Sequence, residues 1–210
     1  MNKIIVIPIL VGAVLVSLSS FLLLNNEPPE SSSSLIYETG FTYYDVEKIQ
    51  NSLEEYDIFV SSPTAITDHT INQYCTYFEK GLSKSVEYCI TTAVLDYEGT
   101  PLGNINIGGN TQYPILAIAN IETPTLNSHK DDVFTIFETM IETLVCNCWD
   151  EEKSKDYETI SAWLEGVHSF YYDSDRRNIK SKIDNLSDHE IILEITPKDN
   201  SILQTLIILK

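Results

Sequence analysis

Residues 144 to 149, "LVCNCW", place two thiols one residue apart at the end of an amphipathic stretch, and two more stand at Cys75 and Cys89. Four sulfurs can form two disulfides, a thiolate site for zinc or cuprous copper, or a redox pair. Zinc knuckles use C-x2-4-C, whereas the spacings here are one and thirteen intervening residues. A thioredoxin-like site needs C-x-x-C, which the chain lacks. Positions two apart on a helix point to opposite sides, so Cys146 and Cys148 are expected to bond not to each other but each to one of Cys75 and Cys89. Those bonds would tie a long helix to a sheet. The alternative is metal handling by the cysteines with His168, which could also join Asp173 or Asp175 at the edge of its helix.

Other chemistry is mostly missing. No G-x-S-x-G elbow occurs, and "HEIIL" has Leu193 where a zinc protease needs its second histidine, so Glu190 is expected on a strand. Gly103, Gly108 and Gly109 lack phosphate-loop spacing and fit hairpin turns. Asp173, Asp175 and Asp184 match positions 1, 3 and 12 of a calcium loop, but Arg177 and Asn178 spoil the fifth and sixth, which favours a solvated loop. Asn185-Leu186-Ser187 is a glycosylation sequon. With no catalytic motif, neither an enzyme nor a cofactor is expected.

The compartment sets the redox conditions for these thiols. Residues Ile4 to Leu24 carry no charge and are long enough, as a helix, to cross a bilayer. Lys3 precedes them and Glu27 and Glu30 follow, so the positive-inside rule puts the remainder outside the cell. A cleaved signal peptide with Ser17-Leu18-Ser19 at the cut is the competing reading, and it exports the domain too. Residues 1–26 are thus expected to be a single-pass signal anchor holding the protein to the cell membrane through residues 4–24. "NNEPPESSSS" makes 27–36 a Pro/Ser-rich tether, and 37–210 the extracytoplasmic domain. All 31 acidic residues but only 12 of the 13 basic ones lie beyond the span, leaving that part at −19. Such a charge argues against nucleic acid as a partner.

The elements follow from periodicity. "TYYDVEKIQNSLEEY" reads as a helix that Thr42 or Asp45 can cap, and "YDIFV" as a short strand. "TDHTINQYCTYFEKGL" reads as a helix ended by Gly81, in preference to a hairpin centred on Leu82. "SVEYCITTAVLD", "NINI" and "YPILAIANI" form an antiparallel meander, with Ile90 and Val94 on one face and Cys89 and Thr91 on the other. Ser128 and Asp131 are placed to cap a helix whose apolar face runs from Val133 to Leu144. A last helix carries Ile160, Trp163, Leu164, Val167 and Tyr171 in a stripe, and "EIILEIT" and "ILQTLIIL" close the chain as a hairpin. The expected fold is α+β: an antiparallel sheet of about five strands with helices packed on it, preceded by one transmembrane helix.

"YC" at 74–75, "VEYC" at 86–89 and "LVCNCWDEE" at 144–152 resemble an uncharacterised set of signal-anchored envelope proteins of ammonia-oxidising archaea, over most of the exported domain. The resemblance implies the compartment and supplies no activity. The sequence therefore points to a membrane-anchored extracytoplasmic binding or interaction module for an envelope protein or a small ligand. Metal handling through the cysteine cluster is the alternative.

Overall fold

In the computed structural model, residues 40–79, 81–152 and 157–210 are described. The expected anchor at 1–26, the tether at 27–36 and the start of the domain at 37–39 lie outside the described residues. No helix among those described is long and apolar enough to cross a membrane.

Helix α1, Asp45–Glu54, buries Val46, Ile49 and Leu53 along one side. Its entry is fixed by Asp45, whose carboxylate accepts hydrogen bonds from the Thr42 N–H at 2.6 Å and the Thr42 hydroxyl at 3.0 Å. Burial would raise the Asp45 pKa, but the bonds from Lys48 and Thr42 outweigh it and hold the carboxyl below its usual range. Two short strands follow, β1 (Phe59–Val60) and β2 (Thr64–Ile66).

The next segment departs from expectation. Helix α2, Ile71–Tyr74, is a single turn, and the chain leaves it at Cys75 with φ −128° and ψ 62°. Residues Thr76–Glu79 and Leu82–Ser85 then pair as a hairpin of strands β3 and β4. Gly81, read as a helix stop, sits at φ +80° in that turn, since left-handed backbone serves either feature. The register Thr76↔Ser85 also moves the hairpin centre off Leu82.

Strands β5 (Tyr88–Leu95), β6 (Pro101–Gly109) and β7 (Pro114–Thr123) form the expected meander. Helix α3, Lys130–Leu144, starts one residue later than its capping motif suggests. His129 is the N-cap and its Nδ1 lies 3.0 Å from Asp132, while Ser128 bonds to Thr125 in the preceding turn. After the short helix α4, Trp149–Glu152, comes α5, Ile160–Asp173, where the Thr159 hydroxyl accepts from the Ala162 N–H at 3.0 Å. Strands β8 (Ile179–Leu186), β9 (His189–Pro197) and β10 (Ile202–Leu209) complete the chain.

The fold is α+β, with an antiparallel sheet of eight strands rather than about five. Its order is β1-β5-β6-β7-β10-β9-β8, and β2 joins β5 beside β1. β1 lies within the expected short strand "YDIFV", and the strands not expected are β2 and β8, the last in a stretch whose acidic residues suggest a loop. Strand alternation assigns the faces. Ile90, Ile105, Ala119, Leu206, Leu193 and Ile183 belong to the core that α1, α3 and α5 cover. On the opposite face, residues 66–86 form a flap over Cys89, Leu116 and Ile118.

Candidate functional site

The cysteines pair differently from the expectation. Cys75 is bonded to Cys89, and Cys146 to Cys148. Cys89 shares the register position of Gly108 and lies on the flap side of the sheet, whereas α3 packs on the other side. A sulfur at the end of α3 would have to reach through the sheet to meet it. Helix α3 also stops at Leu144, so Cys146 and Cys148 stand on a connecting loop, where helical spacing no longer keeps them apart.

The two bonds sit in different surroundings. Cys75 and Cys89 are fully buried, and an added Cβ on Gly108 would lie 2.8 Å from the Cys75 sulfur. Cys146 and Cys148 are half-exposed on either side of exposed Asn147. Trp149 then dives into the core against Trp163, ring centroids 6.3 Å apart, while the Trp163 Nε1–H donates to Ser181 on β8 at 2.9 Å.

The other expected ligands are not brought together. His168 is buried between α5 and the sheet, with Nε2 at 2.8 Å from the Gln204 side-chain oxygen on β10. Burial lowers its pKa. Asp173 ends α5, Asp175 is exposed and faces Arg177 at 3.6 Å, and Asp184 lies on β8 at 2.7 Å from Lys182. Helix end, turn and strand replace the calcium loop, and among the described residues no group of three or more His, Cys, Asp or Glu could hold a metal. Glu190 stands on strand β9 beside buried His189, whose Nδ1 donates to the Ser187 carbonyl at 2.6 Å. Asn185 is exposed beside the tight β8–β9 turn, at φ 62°.

A groove that motif reading does not reveal opens where three connections meet. It measures about 570 Å³, and its rim includes Asn127 after β7, Tyr172 and Arg176 at the end of α5, and Lys198 and Asn200 between β9 and β10. Helix α5 is closed by the Arg176 N–H donating to the Tyr171 carbonyl at 3.1 Å. This turn puts Asp175 and Arg176 both at φ 56°, a left-handed conformation that costs about 1 kcal/mol for each non-glycine residue. The Arg176 guanidinium lies 5.7 Å from the centre of the exposed Tyr172 ring. Lys198 is engaged by Glu122 at 2.9 Å, and the Ser201 hydroxyl and that ammonium together hold the Glu122 carboxyl below its usual range. Arg176 makes no ion pair among the described residues. A guanidinium stacked on a ring keeps its N–H edge open for a carboxylate or phosphate. The one sequence signal was that the chain's only two arginines, Arg176 and Arg177, follow the aromatic run Phe170-Tyr171-Tyr172.

The chain matches no family model, and no curated protein or solved structure matches it.

Proposed function

We propose that this protein is a membrane-tethered, extracytoplasmic binding module that receives a small carboxylate-bearing ligand in the groove beside Arg176. The observation that carries the reading is the arginine itself. In a region of charge −19 it makes no ion pair among the described residues, and it stacks on Tyr172 at the mouth of an open groove. Loops presented by a rigid sheet are where binding residues concentrate. Export is supported by the uncharged stretch Ile4–Leu24 with Lys3 before it, and by cysteines that suit an oxidising compartment.

Succinate is a suitable probe. Thermal unfolding of the full-length chain should shift upward and saturate with succinate, reaching about 2.7 kcal/mol of stabilisation at a hundredfold excess over Kd. Arg176→Ala should abolish the shift while leaving the unliganded midpoint in place. A shift that never saturates, or one that survives the substitution, overturns the assignment. For the tether, protease added to intact cells should remove the domain and leave a membrane-bound stub, and full protection of the domain would contradict export.

A further inference from the structure

We propose that the Cys146–Cys148 bond is a thiol–disulfide exchange site whose substrate is the dithiol of a basic polypeptide. This activity goes beyond the ligand groove and uses different residues. The argument begins with what the bond does not do. It links residues two apart on one loop, so it joins no two elements of the fold. The Cys75–Cys89 bond, in contrast, pins the flap to the sheet from a fully buried position. A cross-link stabilises mainly by restricting the unfolded chain, and the restriction shrinks with the loop it closes. The short-loop bond therefore contributes the less of the two.

Access separates them further. Cys146 and Cys148 are half-exposed, and exposed disulfides are the labile and reactive class. Anchorage at both ends lets the bond open without disturbing its surroundings. Leu144 is buried in the core, and Trp149 is packed on Trp163. Opening and closing are thus confined to the residues between two fixed points.

The exchange balances without any further reagent. A thiolate of the partner attacks one sulfur of the pair, forming a mixed disulfide and releasing the other sulfur as a thiolate, which takes a proton from water. The partner's second thiolate then attacks its own sulfur in the mixed disulfide. The partner leaves as a disulfide, and two electrons and two protons have passed to Cys146 and Cys148. The reverse reaction returns them.

Charge selects the partner. The chain continues past Trp149 as Asp150-Glu151-Glu152-Lys153-Ser154-Lys155-Asp156, with four acidic residues against two lysines, and the region beyond residue 26 totals −19. An anionic thiolate approaches such a surface against repulsion, whereas a dithiol set among lysines or arginines is drawn to it.

The test uses the full-length chain. In graded dithiothreitol, followed by alkylation and peptide mass spectrometry, Cys146 and Cys148 should become labelled at a concentration at least about tenfold below that which opens Cys75–Cys89. Simultaneous opening, or earlier opening of Cys75–Cys89, overturns the proposal. Oxidation of a lysine-flanked dithiol peptide should run about tenfold faster than that of a glutamate-flanked one at low salt, the gap closing as salt rises. Equal rates would overturn the basic partner. A Cys146→Ser, Cys148→Ser double variant should keep the unfolding midpoint and lose the exchange; a large fall in the midpoint would show the bond to be structural and sink the idea.

Discussion

The His168–Gln204 pair gives the sharpest test of how the core is assembled. Both side chains are almost wholly buried, His168 on α5 at 3% exposure and Gln204 on β10 at 0%. They share one hydrogen bond of 2.8 Å, Nε2 to Oε1, while His168 Nδ1 and Gln204 Nε2 find no partner in the protein. His168→Leu strands the Gln204 oxygen, and Gln204→Leu strands the second imidazole nitrogen. Each single change should therefore cost about 1–3 kcal/mol, the penalty for an unsatisfied buried polar group. The double replacement leaves no polar atom behind and should return stability to near that of the native chain. The coupling energy is then at least about 2 kcal/mol, readable in urea unfolding of the four proteins at pH 7.5. Additivity to within about 0.5 kcal/mol would show that the bond does not hold the two elements together.

The same pair carries a pH signature. Burial disfavours the imidazolium, and Lys130 adds to that, while Gln204 and Glu165 work against it; the net shift is downward. The unfolded chain then takes up the proton more readily than the folded one. Stability from neutral His168 is complete above the unfolded pKa of about 6.5 and is lost as pH falls below it. The slope is at most about 1.4 kcal/mol per pH unit. Subtracting the His168→Leu profile from the native one isolates this contribution from the other three histidines. A difference that stays flat between pH 7 and 5, as order-of-magnitude bounds on the window, would refute it.

Three further outcomes are expected. Gly108→Ala would set a methyl 2.8 Å from the Cys75 sulfur and 2.9 Å from Val86, so it should cost about 1–3 kcal/mol in urea unfolding and speed proteolysis within residues 66–86. Cys89→Ser should cost about 3 kcal/mol, the chain-entropy value for a loop of about 15 residues, measured by the same unfolding. Thr159→Ala removes the cap on α5 and should cost about 1 kcal/mol in thermal unfolding, whereas Thr159→Gly should cost only a few tenths.

Periodicity made the core legible, and failed where two readings shared one signal. Val133 to Leu144 and the stripe from Ile160 to Tyr171 fall on buried helix faces because a 3.6-residue period has one structural solution at that length. Around Cys75, Gly81 was compatible with a helix stop and with a hairpin turn, and the β-forming run Thr76-Tyr77-Phe78 decided for the hairpin. Strand β8 was legible in principle: Ile179, Ser181 and Ile183 alternate with Lys180 and Lys182, although the neighbouring aspartates suggest a loop. The cysteine pairing was also legible in part, because the alternation that sets Ile90 inward sets Cys89 outward, away from α3. The groove was not legible, since Asn127, Arg176 and Lys198 come from three separate connections and meet only through the order of the strands.

The strand order also favours the groove over the sheet face opposite α1, α3 and α5 as the place for the proposed binding. One row crosses that face through Asn104, Asn120, Thr205, Glu194 and Lys180, all in cross-strand register. Each of these side chains is bonded to a neighbour, although the Oδ1 of buried Asn106 beside the row has no partner among the described residues. Asn104 Oδ1 accepts from Asn106 at 2.7 Å and from Asn120 at 3.3 Å, Asn120 Oδ1 accepts from Thr205 at 3.0 Å, and Lys180 meets Glu194 at 2.9 Å. A ligand laid there would have to displace bonds already made. Where the same face turns apolar, at Leu116 and Ile118, the flap pinned by Cys75–Cys89 covers it. The buried disulfide thus holds a cover over that apolar part of the sheet. That leaves the groove beside Arg176 as the place for the proposed recognition, and Cys146–Cys148 as the place for the proposed exchange.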